Sequence, residues 1–336
     1  MKLLRKILFP FVPIYYLVTC VRNILYDLGW KSSKSYNLPV ICVGNLSVGG
    51  TGKTPTIEYL IRLLKDDHKV ATLSRGYKRE SSGFVIADTH ATAKTIGDEP
   101  FQFYKKFKDV IVSVDENRQH GISQLIKSLQ PEVILLDDAF QHRKVKAGFN
   151  ILLTAYNNLY CDDSVLPTGN LREPRAGAKR ADIILVTKCP VSISTSEKEL
   201  VLKKIKPLSH QSVYFSMISY SERILSENDN FYLEDLKGKN VTLVTGIANP
   251  KPLLDYLKSK SINFEHLNYK DHHAFTISEI ETLKQKEIVL TTEKDYVRLK
   301  NEFTSNPEQL CYLPISFIID NDSAFNAQVG AFINTI

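Results

Sequence analysis

The chain has 336 residues and a mass of 38.2 kDa, of which 43% are hydrophobic and 24% charged. At roughly 150 residues per domain, that length predicts two domains with enough core to need no disulfide or structural metal. The composition excludes collagen-like, disordered and polytopic membrane classes. The net charge of +6 is unevenly placed. Residues 1–36 hold Lys2, Arg5, Lys6, Arg22, Lys31 and Lys34 against Asp27, a balance of +5 that leaves +1 for the rest. A nucleic-acid binder would carry a basic stripe over its folded domains, so none is expected as a partner.

Lys2, Arg5 and Lys6 precede Ile7–Val21, fifteen residues without a charge. The segment starts like a secretory signal, and Leu17-Val-Thr-Cys20 resembles a lipoprotein site in which Thr19 is a poor fit. It is short of the ~20 apolar residues of a membrane span, and it contains Pro10 and Pro13. A helix lying in the membrane interface is a third reading, with Tyr15, Tyr16, Tyr26 and Trp30 at headgroup level. A helix buried against the main domain is the fourth. The five cysteines, Cys20, Cys42, Cys161, Cys189 and Cys311, form no CxxC, which points to a reducing compartment and no zinc site.

From residue 38 onward, β-rich runs alternate with helix-like stretches. The runs are 38–43, 69–73, 110–114, 133–136, 150–153 and 183–186, mostly apolar throughout, as in a parallel sheet buried on both faces. A second series follows at 241–245, 263–267 and 288–290, with helices near 250–260 and 278–286. The polar stretch from about 190 to 235 is expected to connect them, with a strand-like run at 212–218. The expected fold is α/β: a P-loop NTPase domain with a mostly parallel sheet, a second smaller α/β domain and an N-terminal amphipathic helix. The expected boundaries are 1–35 for the helix, 36–210 for the P-loop domain and 211–336 for the second domain closing over the active site.

The sharpest signal is Val40-Ile-Cys-Val-Gly-Asn-Leu-Ser-Val-Gly-Gly-Thr-Gly-Lys-Thr-Pro55. A buried strand enters a glycine-rich turn and then a helix. The Walker pattern GxxxxGK[ST] would put a glycine at Ser47, so the strict form fails by one residue. The physical requirements still hold. Gly49, Gly50, Thr51 and Gly52 let backbone amides turn toward phosphate, and the helix N-terminus adds its dipole. Lys53 reaches the outer phosphates and Thr54 suits Mg²⁺, which makes ATP and Mg²⁺ the expected cofactors. Val133-Ile-Leu-Leu-Asp137-Asp138 ends an apolar strand in two carboxylates, at the sheet edge where open α/β folds bind ligands. Gly97-Asp98-Glu99-Pro100 reads either as a plain helix start or as a catalytic acid pair. Tyr269-Lys-Asp-His272-His273 carries a histidine pair on a loop, solvated or catalytic.

Together these residues resemble the tetraacyldisaccharide 4'-kinase family, the lipid A 4'-kinases of Gram-negative bacteria. The matching segments, in family order, begin with residues 43–55, Leu73-Ser-Arg-Gly-Tyr77, Gly97–Pro100 and Asn117-Arg118. They continue through Leu136-Asp-Asp-Ala-Phe-Gln-His-Arg143, Leu166-Pro-Thr-Gly-Asn-Leu-Arg-Glu-Pro174 and Val186-Thr-Lys188. Asp271-His-His273 and Thr292-Glu-Lys-Asp295 complete the set, which spans roughly residues 1–300. The family's own loop lacks the first Walker glycine. The last ~35 residues match no named segment.

The resemblance implies transfer of the ATP γ-phosphate to the 4'-hydroxyl of an acylated glucosamine disaccharide 1-phosphate, forming lipid IVA. It implies that Asp98 and His272 form the catalytic dyad with Lys53. It places Glu99, Asp137 and Asp138 with Thr54 at the metal, and Arg75, Arg118, His142, Arg172 and Glu173 near nucleotide or sugar phosphate. Apart from the resemblance, Val186-Thr-Lys188 ends a strand and is expected to neighbour the base. An exported protein would have no ATP, so the cleaved signal falls away and the N-terminus is expected to dock on the cytoplasmic face of the inner membrane, with no obligate protein partner. A soluble P-loop kinase for a small metabolite and a membrane-tethered NTPase switch are the competing expectations.

Overall fold

Val40–Asn45 (β1) is buried at every position, which is why it reads apolar throughout instead of alternating. It lies at the centre of a nine-stranded sheet in the computed structural model, which describes residues 8–271 and 273–335. Lys2, Arg5, Lys6 and His272 lie outside the described residues. The other strands are Val70–Ser74 (β2), Val85–Ile86 (β3), Ile111–Val114 (β4), Val133–Asp137 (β5), Phe149–Ala155 (β6), Ile183–Cys189 (β7) and Ser212–Tyr220 (β8). With Ile315–Ile319 at one edge, the order continues β8-β7-β6-β1-β5-β2-β4-β3. The pairs from β8 to β4 are parallel, and the short β3 runs antiparallel to β4. β1 has β5 on one side and β6 on the other, with Val43 opposite Asp137. The chain reverses direction across the sheet here, the position where such folds open a crevice for ligands.

Alternate residues of each strand feed two cores. Cys42, Leu136, Leu152 and Ile184 enter one face, whereas Ile41, Leu135, Ile151 and Leu185 enter the other. The second face is covered by the helix Lys53–Leu64 (α2), through Ile57, Leu60 and Ile61, and by Phe103.

The chain divides into two compact units, one running to Met217 and taking back Phe317–Ile336, the other Ile218–Ser316. The second unit holds a six-stranded sheet, Asn230–Tyr232, Arg223–Leu225, Leu310–Tyr312, Ile288–Thr291, Val241–Thr245 and Phe264–Asn268 in spatial order. Two expectations differ from this arrangement. The stretch 190–235 is not merely a connector: Ser212–Tyr220 extends the first sheet beside β7, after a helix at Thr195–Ile205. The last residues do not belong with the second unit. In the helix Asp322–Ile333, Phe325, Val329 and Ile333 recur at i, i+4 and i+8 and enter the first unit's core.

The N-terminal helix Val12–Asp27 (α1) spans 16 residues. Pro13 occupies its first turn, where no intrahelical N–H is lost. Among the described residues no helix is long and apolar enough to cross a membrane. Ile14, Leu17, Val18, Val21, Ile24 and Leu28 recur every three or four residues and are all exposed, with Trp30 79% exposed beyond the helix end. Val12 and Tyr15 pack inward against the core under the first sheet.

Candidate active site

β1 ends at Asn45, and the turn from Leu46 to Gly52 leads into α2. Gly52 precedes the helix at φ +88°, a left-handed conformation that favours glycine. Ser47 stands where a Walker glycine is expected, but its backbone is not left-handed; it forms a bridge with Leu171. The turn is braced from three directions. Asn45, fully buried, donates from Nδ2 to Thr51 Oγ1 at 2.7 Å. Thr187 Oγ1 donates to the Thr51 carbonyl at 2.7 Å, and Lys188 Nζ donates to the Gly50 carbonyl at 2.6 Å. Burial, then the nearby Lys53 charge, lowers the pKa of Lys188. Lys188, expected near the base, therefore sits on the phosphate turn.

β5 delivers the acid pair. Asp138 takes the left-handed φ of +50°, uncommon for a side-chain-bearing residue and typical of strained functional positions. Lys53 Nζ stands 3.7 Å from Asp138 Oδ1. Arg172 grips the same carboxylate with both terminal nitrogens, at 2.7 and 3.2 Å. Burial works to raise Asp138, but Lys53 and Arg172 outweigh it and hold the carboxyl below its ordinary value. Asp137 behaves oppositely. Burial pushes it up to about 6, against the pull of Lys53, and the charges of Asp138 and Glu99 add to the rise. Its Oδ1 is buried without a hydrogen-bond partner, while Oδ2 accepts from Ser74 Oγ at 3.3 Å.

The helix Asp98–Lys106 (α3) begins with Asp98 and Glu99, both half-buried. Gly97, at φ +93°, packs against the turn after β2 so closely that a Cβ on it would meet Gly76 Cα at 3.2 Å. This backbone-to-backbone packing brings the start of α3 to the end of β2, and Glu99 near enough to act on Asp137. Arg75, at that same strand end, is exposed.

Two residues expected near the nucleotide or sugar phosphate are buried and bonded to protein groups. Arg118, on the helix Arg118–Leu129 (α4), is 2% exposed. Its guanidinium donates to the carbonyls of Asp115 at 2.6 Å and Asp137 at 3.0 Å, behind the acid pair. Glu173, also buried, accepts from Arg180, Gln141 and Asn23. His142 is half-buried and pushed down to about 4, chiefly by burial and then by Arg118, so it is neutral near pH 7. In the second unit, His273 Nε2 lies 3.0 Å from Glu279 Oε2 and its ring stacks on Tyr269 at 4.7 Å. Of the histidine pair, His273 is thus committed locally. Asp295 is fully buried and accepts from the Gly246 amide at 2.9 Å, so Thr292-Glu-Lys-Asp295 is a brace for the loop after Val241–Thr245.

Asn45 and Thr187 are structural members of the site that the motif alone did not single out. Each sits where a central strand meets the loop, beside residues the motifs already mark. The residues fit a magnesium nucleotide. Asp137 Oδ1 is a buried acceptor lacking a donor, and a cation bound there would offset the burial that raises its pKa. Among the described residues no three His, Cys, Asp or Glu side chains gather into a metal cage. A magnesium ion bound mainly by phosphate and water needs only one or two carboxylates.

The comparisons with known proteins agree along the whole chain. A family profile described as Tetraacyldisaccharide-1-P 4'-kinase matches residues 4–334. A tetraacyldisaccharide 4'-kinase of Flavobacterium johnsoniae is 52% identical over 338 residues, covering 99% of this chain and 98% of the relative. The Bacteroides thetaiotaomicron protein of that name is 46% identical, covering 88% of this chain and 83% of the relative. Among solved structures, LpxK from Aquifex aeolicus in complex with ATP superposes with a TM-score of 0.79 at 31% identity, covering 98% of this chain and 99% of that one.

Proposed function

The chain belongs to the tetraacyldisaccharide 4'-kinase family, and from that premise we propose how its residues divide the work. The reaction is ATP-dependent phosphorylation of the 4'-hydroxyl of tetraacyldisaccharide 1-phosphate, a step of lipid A biosynthesis. The observation that carries the reading is the junction of Lys53, Asp138 and the buried, cation-seeking Asp137 at the C-terminal ends of β1 and β5.

The 4'-oxygen attacks the γ-phosphorus, the bond from that phosphorus to the β,γ-bridging oxygen breaks, and ADP leaves. The hydroxyl proton passes to the Asp98–His272 pair, one member accepting it and the other orienting its partner. Gly49, Gly50, Thr51 and Gly52 cradle phosphate oxygens with their amides, and Lys53 offsets the charge of the transferring group. Thr54 and Asp137 would hold magnesium, with Glu99 and Asp138 as the acids beside them, and the ion would supply further neutralisation of phosphate charge. Arg75 and His142 are reserved for the sugar or its phosphate.

The acyl chains of the substrate lie in a bilayer. The exposed apolar stripe of α1, flanked by Arg22, Lys31 and Lys34, supports peripheral docking on the cytoplasmic face of the inner membrane.

Purified protein incubated with labelled ATP, Mg²⁺ and the disaccharide 1-phosphate in detergent should place phosphate on the distal ring. No transfer to that ring would overturn the reading. Near-native turnover of Asp98→Ala at saturating substrate would remove the dyad alone.

A further inference from the structure

Helix α1 has two faces with different neighbours. Its outer face is the apolar stripe. Its inner face is hydrogen-bonded into the support of the acid pair. We propose that Tyr15 and Asn23 are positioning residues for phosphoryl transfer, acting through Arg172 and Glu173. The proposal rests on the kinase reading above and adds to it that α1 is part of the catalytic scaffold as well as a docking element.

The connections are short and specific. Tyr15 Oη donates to the Arg172 carbonyl at 2.8 Å. Asn23 Nδ2 donates to Glu173 Oε2 at 2.7 Å. These two bonds join residues 157 and 150 positions apart, and they end on neighbouring residues of one loop. One fixes that loop by its backbone, the other by a buried carboxylate. A third bond runs from Arg22 to the Gln141 carbonyl at 2.9 Å. Arg143 returns the grip, donating to the Asn23 carbonyl at 3.0 Å and to Asp27 at 2.7 Å.

From that loop the path to the chemistry is one side chain long. Arg172 holds Asp138 with two bonds and also reaches the Asn45 carbonyl at 3.1 Å. Gln141 spans both sides, donating to Glu173 Oε1 at 2.9 Å and to the Asn45 carbonyl at 2.8 Å. Asn45 in turn braces Thr51 in the phosphate turn. Arg172 therefore has its backbone set by α1 and its guanidinium set on the carboxylate beside Lys53. Displacing the helix shifts both together.

Glu173 shows why Asn23 matters. Its carboxylate is 2% exposed, so water cannot replace a missing donor. Arg180, Gln141 and Asn23 supply its hydrogen bonds. Without Asn23, Oε2 keeps only Arg180, and the carboxylate is free to swing toward it. Small displacements of positioning groups have large kinetic effects, because bound reactants must be aligned to fractions of an ångström. A helix seated on the lipid surface and bonded to Arg172 would hold the acid pair at a fixed height above the plane where the acceptor lies.

The test compares Tyr15→Phe, Asn23→Ala, the double variant and Asn23→Gln in the full-length enzyme, in detergent at saturating ATP and lipid. The double variant should lose about tenfold in kcat, with both KM values within about twofold of wild type. Asn23→Gln, which keeps the amide donor, should recover part of the loss. Hydrogen exchange at the Arg172 amide, protected by its 2.7 Å bond to the Leu46 carbonyl, should accelerate in the double variant. Wild-type kcat together with unchanged exchange at Arg172 would overturn the proposal, as would a loss confined to the lipid KM. Tyr15→Phe keeps the ring and its packing, so it reports on the bond if Asn23→Ala folds poorly. If the wild-type enzyme transfers no phosphate, the kinase reading fails by itself, and the exchange measurement still decides whether α1 holds Arg172.

Discussion

Lys188 reaches from the end of β7 to the Gly50 carbonyl, so a side chain 138 residues away closes the phosphate turn. Its own backbone is left-handed, at φ +58°. The chain accepts that cost to aim the ammonium group at the turn and away from the next strand.

Lys188→Ala should therefore loosen the turn. This bond is open to solvent, so it contributes about 0.5–1.5 kcal/mol, which corresponds to a rise in ATP KM of about two- to twelvefold. Steady-state kinetics with varied ATP would show it, and the lipid KM should stay near wild type. An unchanged ATP KM would mean that Asn45 and Thr187 suffice to hold the turn.

Asp137 gives the site a pH signature. Its carboxyl is raised from 3.8 to about 6 in the native protein without metal. Between those values the folded state binds more protons than the unfolded chain, so this group lowers stability as pH rises through that window. Asp137→Asn removes the buried charge. In metal-free buffer it should be more stable than wild type at about pH 8, by up to about 3 kcal/mol, with the two converging below about pH 4. Its Mg²⁺-dependent turnover should be lost. In the wild type, protons compete with the cation at Asp137, so the Mg²⁺ requirement should climb below about pH 6. Thermal unfolding against pH checks the first arm, and a lower melting temperature for Asp137→Asn at the alkaline end would refute the burial account.

Much of the first sheet was legible because strands buried on both faces read as unbroken apolar runs, as 133–136 and 183–186 do. The P-loop was legible despite Ser47, since that position needs no left-handed backbone. Roles of charged residues were less so. Sequence marks Arg118 and Glu173 as special, but only the fold shows that both are buried beneath the site. The 16-residue α1 was ambiguous for a physical reason: the stripe at Ile14, Leu17, Val18 and Val21 would look the same packed on a core or left open. The strand at Ser212–Tyr220 was legible as a run at 212–218, but its partial burial, with serine and tyrosine among the apolar residues, hid its place in the first sheet.

The outer face of α1 makes a prediction separable from its inner face. Removing residues 1–25 would delete Tyr15 and Asn23 along with the apolar stripe, so a truncation mixes two effects. Leu17→Ser with Val18→Ser changes only exposed apolar side chains. Each side chain of this size is worth about 1.5–3 kcal/mol when fully withdrawn from water, so partition onto anionic vesicles should fall at least about tenfold. Vesicle sedimentation measures this, and unchanged partition would count against docking through this face.

Phe325 decides which unit owns the end of the chain. It is fully buried, meeting the rings of Tyr59 at 5.8 Å and Tyr214 at 5.3 Å. Tyr59 belongs to α2, the helix that starts at Lys53, so the last helix clamps the element that carries the phosphate site. Phe325→Ala should cost about 3–5 kcal/mol through the lost burial and the cavity left behind. For a unit of this size that is a fall of roughly 10 °C in melting temperature. The affected transition should be the one that ATP and Mg²⁺ raise, because ligand stabilises only the unit it binds. Calorimetry with and without nucleotide separates the two units. If Phe325→Ala lowered only a nucleotide-insensitive transition, the C-terminal helix would belong with 218–316 after all.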